Sequence, residues 1–198
     1  MTENRTGSAA AGTRRPSAAR ARLLATASRL FYTEGIRAVG VDRVMAEADV
    51  ARGTFYRHFE GKDDLVRGYL EATDLNIRAQ VDSAAAATGG GAALLQGVAR
   101  AIGQDVCGPG FRGCPFINAA AEYPDPQSPV HQAVLTHRAW FRQMLEDAFR
   151  AIGATRPGQS ADTMFALRDG AMVAGYLSDA ETAARTLEHG TGLLIARG

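Results

Sequence analysis

The chain has 198 residues, of which 46% are hydrophobic and 22% are charged, and these proportions are typical of a folded globular protein. This length suits one sizeable domain, or a small domain of about 50 residues packed on a larger one, and it excludes a two-lobed enzyme. The net charge is only +1, yet residues 1–67 hold 12 Arg and Lys against 8 Asp and Glu, whereas residues 68–198 hold 10 against 13. The basic residues are therefore concentrated in the first third of the chain.

No run approaches the roughly 18 apolar residues that cross a membrane, and no apolar segment follows Arg14 and Arg15 as it would in an export signal. We therefore expect a cytoplasmic protein with no membrane partner. Cys107 and Cys114 have no neighbouring cysteines, which fits neither a zinc site nor a disulfide framework. No His pair has the spacing that places two metal ligands on one helical face, so we predict no metal and no cofactor.

The first elements are a flexible basic arm and three helices. Residues 1–16 are rich in Ala, Gly, Thr, Ser and Arg without an apolar period, which predicts the arm. Ser17 can cap a helix, and apolar residues then recur at three-to-four spacing until Gly35. Two short helices follow, at about residues 42–48 and 52–59, with a break at Asp49 and Val50 between them.

The rest of the chain also predicts helices, at about residues 62–88, 92–106, 115–122, 129–152, 160–177 and 181–195. Ser128 and Pro129 form a cap followed by proline at the first helical position, Ser160 is expected to open the eighth helix, and Ser178 to Glu181 is expected to form a capping box for the ninth. No strand alternation is convincing. The predicted fold is therefore all-α with about nine helices: a three-helix unit at 17–62 and a larger helical domain at 63–198.

One motif gives the three-helix unit a specific interpretation. Residues 44–59, with the sequence VMAEADVARGTFYRHF, followed by Lys62 and Leu65, closely resemble the signature of the TetR (tetracycline-repressor) family. Phe55 and Phe59 are four residues apart and should face the core. The resemblance implies a helix-turn-helix domain and a ligand-responsive regulator, a repressor that binds a palindromic operator in double-stranded DNA as a homodimer.

The polar residues of this motif are the expected DNA contacts. Recognition helices enter the major groove near their amino-terminal end, where Arg52 could pair with guanine and Thr54 could contact a phosphate or a thymine methyl. Gly53 would let DNA approach closely, and the resemblance implies a phosphate contact for Lys62, the only lysine. The predicted DNA-binding residues are Arg43, Arg52, Gly53, Thr54, Tyr56, Arg57, His58 and Lys62. Arg14 and Arg15 could follow a groove or remain solvated.

Three positions depart from the family pattern. Asp49 stands in the turn where glycine is common, and aspartate tolerates the left-handed conformation better than most residues. Ala51 replaces the usual serine before the third helix, and Gly40 replaces the usual threonine before the second. Both changes remove a hydroxyl that could cap a helix or bind phosphate, so affinity should depend more heavily on Arg52, Tyr56 and Lys62.

The larger domain is predicted to hold a small apolar or aromatic effector. Residues 113–123 resemble a segment that lies beside the ligand cavity in one branch of the family. The predicted ligand-binding residues are Phe111, Phe116, Asn118, Tyr123, His137, Trp140, Phe141 and Phe165, with Arg138 as a further polar candidate. Ordinary core packing is the competing interpretation for each of them.

Small residues on the last two helices predict close helix packing, and the resemblance implies that these helices form the dimer interface. The predicted interface residues are Gly170, Ala171, Ala174, Leu187, Thr191 and Leu194. Two other functions compete with that of a ligand-responsive regulator. An enzyme lacks support because no nucleophile elbow, phosphate-binding loop or metal-binding His pair is present. A regulator triggered by cysteine oxidation would use the same DNA-binding domain but needs a reactive thiolate.

Overall fold

The computed structural model describes residues 17–197, and within that range the chain forms nine helices and no strand. The helices are α1 (Ala18–Glu34), α2 (Val41–Glu47), α3 (Arg52–Phe55), α4 (Lys62–Thr88), α5 (Gly91–Val106), α6 (Pro115–Glu122), α7 (Pro129–Ala151), α8 (Pro157–Leu177) and α9 (Ala180–Ala196). The all-α fold is as predicted. The predicted arm at 1–16, with Arg14 and Arg15, lies outside the described residues.

The ends of α1 follow directly from its sequence. The Ser17 side chain accepts a hydrogen bond from the backbone N–H of Arg20, and Gly35, at φ +93°, closes the helix with an N–H donated to the Phe31 carbonyl. The buried face consists of Leu23, Ala27, Leu30 and Phe31. This stripe packs α1 against α2, α3 and α4.

The larger part of the molecule is built around α4, α5, α7, α8 and α9. α5 packs on α9, α8 packs on both α7 and α9, and α7 packs on α4. Gly190 of α9 allows the close approach of α8, because a Cβ at that position would lie 2.7 Å from a methyl group of Leu167. The shorter α6 lies against α7 and next to the three-helix unit.

Three helix ends differ from the sequence-based predictions. α3 ends at Phe55, and residues 56–58 form a turn in which the N–H groups of Arg57 and His58 bond three residues back instead of four. α8 begins at Pro157 and not at Ser160, because a proline suits a first turn that needs no donor. Asp179, not Ser178, caps α9, since its carboxylate accepts the N–H groups of Glu181 and Thr182.

Candidate functional site

The turn between α2 and α3 is held in a fixed geometry by its backbone. Asp49 adopts φ +52°, the only positive φ at a non-glycine residue in the described range. The Asp49 N–H donates to the Ala46 carbonyl and the Val50 N–H donates to the Met45 carbonyl, the paired bonds of a Schellman motif. Aspartate thus takes the left-handed conformation that the family pattern usually assigns to glycine.

A side chain from α1 completes this turn. The guanidinium of Arg22 donates from Nε to the Ala48 carbonyl at 3.0 Å and from Nη2 to the Asp49 carbonyl at 3.1 Å. These carbonyls end α2 and have no partner within the helix. Arg22 therefore ties the relative position of α2 and α3 to α1, a role that local sequence patterns did not reveal because it joins residues 27 apart.

The predicted recognition surface is exposed at the start of α3. Arg52, Gly53, Tyr56 and Arg57 are all exposed and Thr54 is half-buried, whereas Phe55 behind them is fully buried, as predicted. A Cβ at Gly53 would meet no atom within 4 Å, so the backbone there is open to a partner. Side chains and backbone on this face can therefore reach a groove without rearrangement of the core.

Two arginines of this surface are paired with neighbouring polar groups. Arg52 Nη2 lies 2.6 Å from Asp42 Oδ1, and Arg57 Nη2 donates to Thr54 Oγ1 at 2.7 Å. Both members of the Arg52–Asp42 pair are more than 60% exposed, and such pairs contribute little free energy. Arg52 can therefore leave Asp42 and bind a base edge or a phosphate instead at little cost in free energy.

Arg43 is more strongly engaged than the sequence indicated. Its guanidinium bonds to both carboxylate oxygens of Glu34 and to Glu47 Oε1. Hydrogen bonds to Glu34, and to a smaller extent to Glu47, raise the pKa of the Arg43 guanidinium above its ordinary value. Hydrogen bonds from Arg29, and to a smaller extent from Arg43, lower the pKa of the Glu47 carboxyl group. A phosphate contact by Arg43 must compete with two carboxylates.

His58 and Lys62 are bonded to the three-helix unit itself. His58 Nε2 lies 2.9 Å from Ser17 Oγ, and Lys62 Nζ donates to the Arg37 carbonyl at 3.3 Å. Lys62 stands at the first position of α4, beside the acidic side chains of Asp63 and Asp64. The eight predicted contacts thus divide into an exposed group on α3 and a group that joins α1, α2 and α4 at its edge.

The three-helix unit is bonded to the larger part through the end of α6. The Glu122 carboxylate accepts the N–H groups of Ile36 and Arg37, at 2.9 and 2.6 Å, and Tyr123 donates its hydroxyl to Asp63 Oδ1 at 2.8 Å. Burial, together with the bond to Asp63, raises the pKa of Tyr123 above its ordinary value. A displacement of α6 would therefore reach both α1 and the start of α4.

A cavity of about 120 Å³ lies between α4, α5, α7 and α8. Ile77, Val81, Val98 and Ile102 supply much of its apolar lining, and His137 contributes a polar wall. The His137 ring stacks on Phe116 at 3.7 Å, and its Nδ1 lies 2.7 Å from Asp74 Oδ1. Burial is the main cause of a lowered pKa for His137, so its imidazole is neutral near pH 7.

The predicted ligand-binding residues do not form one site. Only His137 and Phe141 line the cavity between α4 and α8, and Asn118 lines a second cavity of about 270 Å³ between α1, α4, α6 and α8. The predicted aromatic residues outside the two cavities have other partners. The Phe116 ring stacks on His137, and the rings of Trp140 and Phe165 lie under the guanidinium groups of Arg78 and Arg138. The Tyr123 hydroxyl bonds to Asp63, and Phe111 is half-buried near Gly175.

Arg168 lines the same cavity as His137 but was not among the predicted ligand-binding residues. Arg168 is only 6% exposed and lies on the buried stripe of α8 with Ala161, Met164 and Met172. A lone arginine at a stripe position between small and apolar residues was the available signal. Charged residues are almost never fully buried unless they are paired, so this position indicates a specific role.

The outer face of α8 and α9 is apolar and exposed. Val173 is 46% exposed, Leu177 is 73% exposed and Leu193 is 46% exposed. Among the predicted interface residues, Gly170 is exposed and Ala174 and Leu194 are half-buried, but Ala171, Leu187 and Thr191 are buried within the protomer. The small-residue stripe thus serves mainly the packing of α8 and α9 on each other and on α5.

Two further properties concern residues 17–197 alone. None of the helices is both long and apolar enough to cross a membrane. Over the same range, no three His, Cys, Asp or Glu side chains are grouped so that they could hold a metal ion.

Comparison with known proteins gives this geometry a context. Residues 23–69 match the family described as bacterial regulatory proteins of the tetR family. The chain is 48% identical to SCO4454, a TetR-family transcriptional regulator from Streptomyces coelicolor, with a TM-score of 0.85 over 90% of this chain and 94% of that one.

More distant matches agree in fold. The regulatory protein TetR from Rhodobacter sphaeroides has a TM-score of 0.75 at 23% identity, over 88% of this chain and 99% of that one. An HTH-type transcriptional regulator from Staphylococcus aureus is 38% identical over 58 residues, which are 29% of this chain and 31% of that regulator. The chain thus matches less than a third of the length of this relative.

Proposed function

Because the chain belongs to the TetR family of DNA-binding transcriptional regulators, we propose that it is a repressor that binds a roughly palindromic operator as a homodimer and is released by a small apolar or aromatic effector. The observation that carries the proposal is the exposed row of polar residues at the start of α3, held outward by the turn at Asp49. Its place of action would be the cytoplasm, where a bacterial regulator meets its DNA.

The proposed division of labour follows the chain. Residues 17–62 bind DNA, and residues 63–198 sense the effector and form the dimer. Arg52 and Thr54 read base edges in the major groove, and Lys62 and Tyr56 bind phosphates. His58 and Arg43 hold α1, α2 and α3 in register at the rim of this surface.

Dimer formation is supported by the apolar face of α8 and α9. One short recognition helix contacts only a few base pairs, so specificity requires two copies in successive major grooves. Because Leu187 and Thr191 are buried in the protomer, we assign the interface to the outward stripe that includes Gly170, Val173 and Leu177 on α8 and Leu193 on α9. Exposed apolar surface of this kind marks association sites.

Effector release is supported by the position of the cavity along α4. This helix carries Lys62 at its first residue and lines the cavity with Ile77 and Val81. A ligand can weaken DNA binding only if it binds the DNA-incompetent conformation more tightly, and a tenfold loss of affinity needs about 1.4 kcal/mol of difference. One helix shared by both sites provides the physical connection.

Operator titrations with two single variants test the proposal. Arg52→Ala should weaken cognate binding by about 1–3 kcal/mol and relax sequence preference, because a base contact is lost. Lys62→Ala should weaken binding to all sequences alike and reduce the salt slope by about 1 per protomer, because a phosphate contact is lost. Fluorescence anisotropy on operator and scrambled duplexes at several salt concentrations separates the two effects.

Arg185→Ala is the matched control for these titrations. Arg185 is an exposed arginine on α9, paired only with neighbours on its own helix, and its removal should leave DNA affinity unchanged. Equal losses of sequence preference from Arg52→Ala and Lys62→Ala would contradict the assigned roles. Failure of the unmodified protein to bind any duplex would contradict the proposed function itself.

A further inference from the structure

Arg168 is a buried cation whose hydrogen bonds are incomplete. Its Nη1 donates to Asp169 Oδ1 at 2.8 Å and its Nη2 donates to the Cys114 sulfur at 3.2 Å. Within residues 17–197, its Nε donor has no hydrogen-bond partner. A guanidinium carries five N–H donors, and a buried donor left without an acceptor destabilises the protein.

The carboxylate nearest to Arg168 is shared with another arginine. Asp169 accepts from Arg168 through Oδ1 and from Arg138 Nη2 through Oδ2 at 2.7 Å. One negative charge therefore serves two guanidinium groups. Arg138 is about one-third exposed and keeps contact with water, whereas Arg168 is buried and depends on its protein partners.

The other charges near this wall do not compensate the excess. Asp74 pairs with Arg78 through Oδ2 and with His137 through Oδ1, and His137 is neutral. The described side chains around Arg168 and His137 thus contribute three arginines and two aspartates. These ion pairs hold one more positive than negative charge before Asp105 of the same cavity is counted, and a bound anion at Arg168 would balance it.

Asp105 lines the same cavity from α5 and faces a different environment. Burial raises the pKa of Asp105. Within residues 17–197, Arg168 forms its ion pair with Asp169 and not with Asp105. A cationic ligand would favour the Asp105 side, and an anionic ligand would favour the Arg168 side. The two possibilities can therefore be separated by ligand charge and by variants.

Apart from Gln80, the remainder of the cavity wall is apolar. Ile77 and Val81 of α4, Ile102 of α5 and Met172 of α8 form surfaces for a hydrocarbon body, and the Phe141 ring lies beside Arg168. An apolar cavity of about 150 Å³ holds one benzene molecule, so this cavity of about 120 Å³ must widen to hold a ring that carries a substituent.

We propose that the cavity selects a small aromatic carboxylate, with the carboxylate paired to Arg168 and the ring packed between α4 and α5. This inference rests on the proposed function and adds the chemical class of its effector. The anion completes the hydrogen bonding of a guanidinium that the protein alone leaves partly unsatisfied. An arginine and a carboxylate form charge-assisted hydrogen bonds, which are stronger than neutral ones.

Three ring compounds of similar size and different charge test this inference on the full-length protein. Benzoate is the anionic probe, benzamide the neutral one and benzylamine the cationic one. Trp140, the only tryptophan, lies 5.8 Å from the His137 ring and reports binding through its fluorescence, and thermal unfolding gives a second readout. Benzoate should bind about tenfold or more tightly than benzamide, and benzylamine should bind least well.

Two variants locate the carboxylate. Arg168→Met should abolish the preference for benzoate over benzamide, whereas Asp105→Asn should keep it. The ranking of the three probes on the unmodified protein stands even if Arg168→Met does not fold. A benzoate affinity no better than that of benzamide, including no measurable binding of either, overturns the inference, and so does a preference for benzylamine that Asp105→Asn removes.

Operator binding without any probe keeps this test separate from the proposed function. A protein that binds its operator but shows no carboxylate preference refutes only the inference about the ligand. A protein that binds benzoate through Arg168 but binds no DNA supports the site and refutes the repressor.

Discussion

Glu122 and Arg37 are joined by two hydrogen bonds across the junction between α6 and the three-helix unit, and each residue donates or accepts through both its backbone and its side chain. Glu122 Oε2 accepts the backbone N–H of Arg37 at 2.6 Å, and the Arg37 guanidinium donates to the Glu122 carbonyl at 2.8 Å. The Arg37 backbone carbonyl also accepts a hydrogen bond from the ammonium group of Lys62. One short loop thus connects α6, α1 and the first residue of α4.

Glu122→Ala should therefore disturb both stability and communication. The N–H groups of Ile36 and Arg37 lose their acceptor, which should lower the free energy of unfolding by about 1–3 kcal/mol in urea titrations. The effect of an effector on operator affinity should also shrink, because α6 no longer holds the loop. Glu71→Ala, at an exposed glutamate of α4, is the control, and equal behaviour of the two variants would argue against the junction.

The turn at Asp49 yields a prediction about backbone strain. Asp49→Val should lower the free energy of unfolding by about 1–2 kcal/mol, because a β-branched residue is poorly suited to φ +52°. Asp49→Gly should be neutral or stabilising, since glycine adopts this conformation freely. Thermal unfolding and operator binding of both variants check the prediction, and a Gly variant as unstable as the Val variant would show that the aspartate side chain matters instead.

The exposed end of α8 tests the proposed dimer. Leu177→Glu should convert the protein to a monomer and abolish operator binding, because a charge would be buried in the interface. Leu75→Glu is the matched control, since Leu75 is 65% exposed on α4 and away from α8 and α9. Sedimentation equilibrium distinguishes the two, and a Leu177→Glu protein that stays dimeric would place the interface on another surface.

The cysteines give a prediction about the trigger. Cys107 is exposed, but Cys114 is 2% exposed and its sulfur contacts Arg168, so an oxidant reaches only one of the two thiols directly. Replacement of both by serine should leave operator binding and its response to a small ligand intact. Anisotropy with and without hydrogen peroxide decides: release of the unmodified protein by oxidant, absent in the double variant, would favour cysteine chemistry over the cavity.

The helices whose ends were predicted well have capping or helix-breaking residues directly at those ends. Ser17 and Gly35 delimit α1, and Gly61 and Gly89 flank α4, through bonds or conformations that involve residues at most four apart. The predicted α3 was too long because the N–H groups of Arg57 and His58 bond three residues back instead of four, a difference that composition does not encode. The family motif predicted the recognition surface, but it did not predict the Arg22 hydrogen bonds that hold the turn before α3.

The cavity and the dimer face were harder to predict because they depend on contacts between distant segments. The aromatic residues near position 137 looked equivalent in sequence, yet only His137 and Phe141 reach the cavity. Arg168 was not singled out from the sequence, and its burial shows only in the folded structure. The stripe with Leu187 and Thr191 predicted close helix packing, and both residues are buried within the protomer. Periodicity alone cannot distinguish helix packing within one protomer from helix packing between two protomers.

The length of α4 sets the scale of any movement that the cavity imposes on the DNA-binding surface. Its 27 residues run from Lys62 to Thr88, and Val81 at the cavity lies about 28 Å from Lys62 along the axis. A rotation of only about 5° around Val81 would carry the Lys62 end through about 2.5 Å. The length of α4 thus amplifies a small rotation at the cavity into a displacement at Lys62 that is large enough to break the phosphate contact proposed for this residue.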